Sequence, residues 1–280
     1  EAEGEPEDET QPESILTAEE HIKRLIHYLA HQVIREDPDG IVPLQDCYPE
    51  GRNELEPGLV SRLRQKLQEI FGEEAMPIIE RELQEALGSR LEDWLAREFF
   101  GYHVGLYRLR PIIWQISLSS SSESRRNQRL KRRRLSQIMQ IDFSIFTYWH
   151  KLDSDTLRKV RHIYLQPFLD AIAREVQQIE KRVAELRSKN ALSQQLMDEE
   201  KRLNQAHSSF EGLKHLAQKI EELLLPHTLK IESRSGWVKE KVNEIIARGY
   251  SPNRDYGVRV NIEPLKQKGI LPRHAERING

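Results

Sequence analysis

A seven-residue recurrence of apolar side chains constrains this chain more than any other feature. Leu165, Ile172, Ile179 and Leu186 stand seven apart, and Leu169, Val176 and Val183 follow the first three by four places. A second run, Leu196, Leu203, Phe210, Ala217 and Leu224, keeps the same period and is reinforced by Ala206, Leu213 and Ile220. Apolar positions at this spacing form a stripe that winds slowly round an α-helix and is buried only against a like stripe. Ser188 to Asn190 leave room for no more than a short turn. The two runs are therefore expected to pair as an antiparallel coiled-coil hairpin over residues 153–226. Pro167 has no N–H to give and should kink or divide the first helix near its start, while Pro226 stops the second.

The segment before the hairpin is also helix-rich. Charged residues make up 31% of the 280 and aromatics only 7%, a balance that favours helices. Thr17 and Glu20 have capping-box spacing ahead of Ile22, Leu25, Ile26, Leu29 and Val33, and Asp37-Pro38-Asp39-Gly40 reads as the turn that ends that helix. A loop bearing Pro43 and Pro49 leads to a helix after Pro57 with Leu59, Leu63, Leu67 and Ile70 on one face and Gly72 as its stop. A third helix runs from about Glu73 to Leu87, closed by Gly88, and a second capping box, Ser89 and Glu92, opens a fourth with Leu91, Trp94, Leu95 and Phe99 inward. IIWQISL at 112–118 and IDFSIFTYW at 141–149 are β-branched and aromatic, so they read as two strands of a ribbon. In the tail, 238–247 reads as a helix stopped by Gly249, and VRVNI at 258–262 as a short strand.

The expected fold is thus mainly α: a small helical bundle with a β-ribbon, a coiled-coil hairpin, and minor β at the C-terminus. Its expected divisions are an acidic linker at 1–16, a helical unit at 17–152, the hairpin at 153–226 and a tail at 227–280. Residues 1–14 hold seven acids and no base, too polar a stretch to fold alone. The chain opens EAEGEPEDETQPES without methionine, which reads as the interior of a longer protein or a trimmed chain. One cysteine, Cys47, rules out an intrachain disulfide framework and suits a reducing cytoplasm, and no apolar run approaches the span of a bilayer.

The ribbon encloses the most charged stretch of the chain. ESRRNQRLKRRRLSQ, residues 123–137 of an insert at 119–137, packs Arg125, Arg126, Arg129, Lys131, Arg132, Arg133 and Arg134 against one acid, Glu123. The formal net charge of the whole is −2, so a nucleic-acid role would be local. Like charges this dense repel, a cost that an anion such as a phosphate backbone relieves; the plainer reading is a solvated loop. At the far side of the insert, Tyr148 and His150 alternate with Trp149, which puts the pair on the face opposite to the tryptophan, one set in the core and the other exposed. An exposed aromatic–histidine pair beside a basic loop suits stacking and phosphate contact.

Chemistry is mostly absent from the motifs. No glycine-rich turn follows a strand to admit a nucleotide cofactor, and neither an NPPY-type tetrapeptide nor G-x-S-x-G occurs. Cys47 has no evident catalytic partner. His27 and His31 stand four apart, as zinc ligands can, but no cysteine or H-E-x-x-H completes a site, so they read as surface or interface residues. Asp153 and Asp155 in D-S-D-T read as helix capping, not as an acid pair.

Three stretches taken together resemble a known family: FGEEAMPIIERELQEALGSRLEDWLAREFFGYHVGLYRLRPIIWQIS, FTYWHKLDSDTLRKVRHIYLQPF and DYGVRVNIEPLKQKGIL. They are similar to the C-terminal part of the PglX-like adenine-specific DNA methyltransferases of BREX phage-exclusion systems, relatives of type IIG restriction–modification enzymes. The family carries a similar GEE…ALG…RPIYW run, a YLHR strand end where this chain has Tyr148-Trp149-His150-Lys151, and a closing pattern matched by Asp255, Gly257, Val258, Val260, Asn261 and Ile262. The likeness covers most of 20–170 and 250–272. The family has a short turn where 119–137 stand here, so the arginine insert is not part of it. What the resemblance implies is a non-catalytic recognition or accessory region. It would bind no cofactor and no metal itself, while a methyltransferase core, on the same or a separate chain, uses S-adenosylmethionine. Its partners would be duplex DNA, that core and other defence-system proteins, in the cytoplasm. The competing expectation is a protein-interaction scaffold of a defence complex that works through the hairpin and does not touch DNA.

Overall fold

The computed structural model describes residues 16–49, 51, 54–118, 143–188, 193–229, 236–272, 275 and 278. The acidic residues 1–15 and the basic insert lie outside the described residues, as do 189–192 at the tip of the hairpin. The fold is mainly helical with one small antiparallel sheet.

Helix α1 (Ala18–Glu36) starts where the Thr17 hydroxyl accepts the Glu20 amide at 3.2 Å. It ends at Asp37, whose Oδ1 accepts the amides of Asp39 and Ile41 and whose Oδ2 takes Arg62 at 2.9 Å. That carboxylate holds the turn into β1 (Ile41–Pro43). Helices α2 (Leu59–Phe71), α3 (Met76–Leu87), α4 (Leu91–Arg97) and α5 (Phe99–Leu106) follow. The expected second capping box does not form: Arg90 is the N-cap residue of α4 and makes no side-chain cap. The Glu92 carboxylate instead accepts Arg64 Nη2 at 2.6 Å, a charge-assisted bond that competes well against a cap.

Strands β2 (Ile113–Ser117) and β3 (Ser144–Tyr148) form the expected ribbon, and β1 adds to the outer edge of β3 to give the order β1-β3-β2. The sheet is a wall between two cores. On one face Val42, Ile113 and Phe146 join α1–α4 and Phe99; on the other Ile41, Trp114, Ile116 and Ile145 join the rest of the chain. Period-two alternation sends neighbouring residues to opposite cores, which is why the ribbon is buried on both faces.

Beyond β3 the chain enters a short helix α6 (Thr156–Lys159), a π-helical turn at Val160–Leu165, and α7 (Gln166–Ser188). The Asp153 carboxylate accepts the Asp155 amide and the Thr156 hydroxyl, the capping role read from D-S-D-T. The widened turn ends just ahead of Pro167, whose missing N–H and ring a regular α-turn does not accommodate. Helix α8 (Ser193–Leu224) returns along α7. Leu165, Leu169, Ile172, Val176, Ile179 and Val183 are buried as the seam requires. On α8 the frame shifts: Ala206, Leu213, Leu216, Ala217, Ile220 and Leu223 form the buried stripe, while Leu196, Leu203, Phe210 and Leu224 sit half-buried at its edge.

The tail packs as helix α9 (Gly236–Ile246) and α10 (Gly257–Gln267). Residues 258–262 are therefore helical, not a strand. Val260, Asn261, Ile262 and Leu265 are buried on one side of α10. The Asn261 amide donates to the carbonyls of Asn253 and Gly257 and its oxygen accepts the Asn253 amide, so the side chain holds the entry to the helix. Among the described residues no helix is long and apolar enough to cross a membrane.

Candidate functional site

Phe99 and Phe100 fill the two cores at the start of α5, and one turn on His103 is fully buried. Its Nε2 accepts the backbone amides of Ile112 at 3.1 Å and Ile113 at 3.0 Å, so that nitrogen carries no proton. The ring's single proton is then on Nδ1, where it donates to His27 Nε2 at 2.8 Å. His27 in turn must hold its proton on Nδ1. Both rings are neutral by construction, and their environment agrees: burial pulls the pKa of His27 down to about 4 and that of His103 well below the ordinary 6.5.

The chain strains to bring those amides round. Arg108 and Leu109, just past α5, have φ of +47° and +66°. Left-handed backbone costs a side-chain-bearing residue about 1–2 kcal/mol each. The Leu109 amide closes back on Val104 O at 3.0 Å, and the reversal delivers Ile112 and Ile113 to His103.

From this buried pair the rings step outward to the surface. Tyr107 lies 4.4 Å from His103, and His31 lies 5.8 Å from Tyr148 at the end of β3. Tyr148 meets His150 edge-on at 5.2 Å. Tyr148 is half-buried, His150 exposed and Trp149 buried. His150 sits in a 3-10 turn, Trp149–Lys151, with Lys151 Nζ on Asp37 O at 2.6 Å and Arg254 Nη1 on His150 O at 2.8 Å. Burial first, then the neighbouring Arg35 and His150, lower the pKa of His31. The Asp37 carboxylate is engaged by Arg62 and that of Asp39 by Lys159. The outer face of this cluster thus carries the Tyr148 and His150 rings with the Arg254 guanidinium beside them.

Of the residues singled out from sequence, Tyr148 and His150 meet on this face. Arg125, Arg126, Arg129, Lys131, Arg132, Arg133 and Arg134 lie outside the described residues. The residues that flank them are fixed, however. Leu118 packs on Gly212 of α8, where a Cβ would stand 3.0 Å from Leu118 Cδ1. Phe143 packs on Phe168 of α7 with centroids 5.3 Å apart, and the Leu118 amide reaches Phe143 O at 3.3 Å. The antiparallel register pairs Tyr148 with Ile113 and Ser144 with Ser117. The aromatic–histidine pair therefore sits at the opposite end of the ribbon from the insert's flanks, about 14 Å along the strand, and not beside it.

Of the two histidines read as surface or interface residues, His27 is buried and His31 half-buried. Sequence reasoning missed His103 and Arg254, since their partners are 76 and 104 residues away. Cys47 is half-buried and its backbone bridges Glu56. Among the described residues no group of three or more histidines, cysteines or carboxylates could hold a metal. Compared with protein-family models and with curated proteins, the chain matches neither.

Proposed function

We propose that this chain is a non-catalytic DNA-recognition or accessory region of a PglX-like adenine-specific DNA methyltransferase in phage defence. The observation that supports it best is the outer end of the ribbon, where the exposed His150 ring meets half-buried Tyr148 edge-on and the Arg254 guanidinium donates to the His150 carbonyl. Phosphate oxygens satisfy such a face, and rings within it can stack or read bases. The arginine insert, at the ribbon's other end, would supply a second hold. Methyl transfer would belong to a core that binds S-adenosylmethionine, with this chain holding and positioning the DNA.

A scaffold role is the second reading. It draws support from the far half of the hairpin, where Met197 is 62% exposed and Leu186, Leu196 and Leu203 are only half-buried. The two are separated by duplex binding measured by fluorescence anisotropy. Tyr148→Ala with His150→Ala should weaken binding about 10- to 100-fold on the recognition reading. Binding by the double variant equal to that of wild type would leave the scaffold in front.

A further inference from the structure

The apolar stripe of α2 outlasts the core it serves. Leu59, Leu63 and Leu67 are buried, but Ile70, placed on the same face by its spacing, is 55% exposed. Phe71 beside it is 44% exposed, and Ile78, in the first turn of α3, is 55% exposed, with Pro77 exposed next to it. Gly72 turns the corner between the two helices with φ of +86°, and a side chain there would meet nothing within 4 Å. Three carboxylates lie along the same corner, Glu69, Glu73 and Glu74, all exposed. Residues 67–80 hold no lysine, arginine or histidine. The cations that precede them on α2 are engaged, Arg64 by Glu80 and Glu92 and Lys66 by Glu36.

Carboxylates suit the start of a helical turn, which accounts for Glu73 and Glu74 but not for the large apolar side chains they flank. A single exposed apolar residue is ordinary; three at one corner mark a surface that another molecule covers. The charge says which kind. Carboxylates repel a phosphate backbone, so nucleic acid does not suit this corner. A wholly apolar partner would cover the carboxylates without pairing them, at a cost in desolvation. We propose that the corner is the docking site for a basic amphipathic segment of a partner protein. Its apolar side chains would cover Ile70, Phe71 and Ile78 while its lysines or arginines meet Glu69, Glu73 and Glu74. The proposal is independent of the DNA reading, since it uses neither the ribbon end nor the arginine insert.

The probe is a fluorescein-labelled peptide of leucines and lysines at helical spacing, followed by anisotropy at low salt. It should bind the full chain, and the same peptide with glutamate for lysine should bind at least about ten-fold more weakly. Ile70→Ser with Ile78→Ser should weaken the lysine peptide about ten-fold. Glu69→Gln, Glu73→Gln and Glu74→Gln together should weaken it about three- to ten-fold and flatten its salt dependence. All five side chains are exposed, so the Tm of either variant should move by less than about 2 °C. Absence of binding, equal affinity for the two peptides, or unchanged affinity in either variant would overturn the proposal; the last would mean that the peptide sits on carboxylates elsewhere, such as those of residues 1–14. Two further outcomes would give the corner to another occupant and overturn it as well. A dimer seen by analytical ultracentrifugation and dissociated by the isoleucine substitutions would assign it to a second copy of this chain. Peptide bound only after Arg125, Arg126, Arg129, Arg132, Arg133 and Arg134 are changed to Ser would assign it to the chain's own insert.

Discussion

Acid should unfold this protein through His27 and His103 before its surface ion pairs matter. His27 has a native pKa near 4 against an ordinary 6.5. Between those values the unfolded chain binds the proton and the native one does not, so stability falls as pH falls. The loss begins below about pH 6.5, reaches about 2 kcal/mol for His27 alone at pH 5, and levels near 3 kcal/mol below pH 4. His103 moves the same way, because a proton on Nε2 would displace the Ile112 and Ile113 amides. Urea unfolding followed by tryptophan emission at pH 7.5 and 5.0 measures the sum. His27→Gln offers an oxygen to the His103 N–H and cannot titrate, so the difference between the two pH values should shrink by about 2 kcal/mol. An undiminished difference in that variant, or an NMR-measured pKa for His27 near 6.5, would refute the proton assignment.

Two packing predictions are simpler. Ile179 is 1% exposed in the hairpin seam, so Ile179→Asp should cost about 3–5 kcal/mol, while Lys181→Asp on the exposed face should stay within about 0.5 kcal/mol; equal thermal shifts would misplace the seam. Gly249 has φ of +93° and an added Cβ would meet the Leu224 carbonyl, so Gly249→Ala should lose about 2 kcal/mol or more in chemical denaturation, and a neutral result would mean the α8–α9 junction is looser than drawn.

The hairpin was legible because its seam is local and periodic, yet its frame on α8 was not. Two overlapping stripes, one through Leu203 and Phe210 and one through Ala206 and Leu213, share the period, and only packing against the rest of the chain decides which is buried. The strand β1 is three residues ending in Pro43, too short to stand out from a loop; pairing with β3 makes it. VRVNI alternates like a strand, but Val258, Asn261, Ile262 and Leu265 also stand at helical spacing, and the Asn261 bonds settle the matter. On α1 the stripe through Leu25, Leu29 and Val33 was visible, whereas His27, Ala30 and Ile34 make a second buried row that a polar residue disguised. That Tyr148 and His150 differ in face from Trp149 was legible from alternation, but which of them is buried was not; the Arg254 contact, from the 254–256 turn, comes from distant chain.

The central claim is a hold on nucleic acid, and salt tests it most directly. Each phosphate neutralised on duplex DNA adds about 0.9 to the slope of log affinity against log salt. The seven bases of 125–134 cannot all reach phosphates together; roughly three to five contacts would contribute a slope near −3 to −4. Duplex binding across a salt series, compared between wild type and a variant with Arg125, Arg126, Arg129, Arg132, Arg133 and Arg134 changed to Ser, should show weaker binding on every sequence and a slope flattened by about that amount. A slope unchanged by the six substitutions would make the cluster a solvated loop and contradict the account.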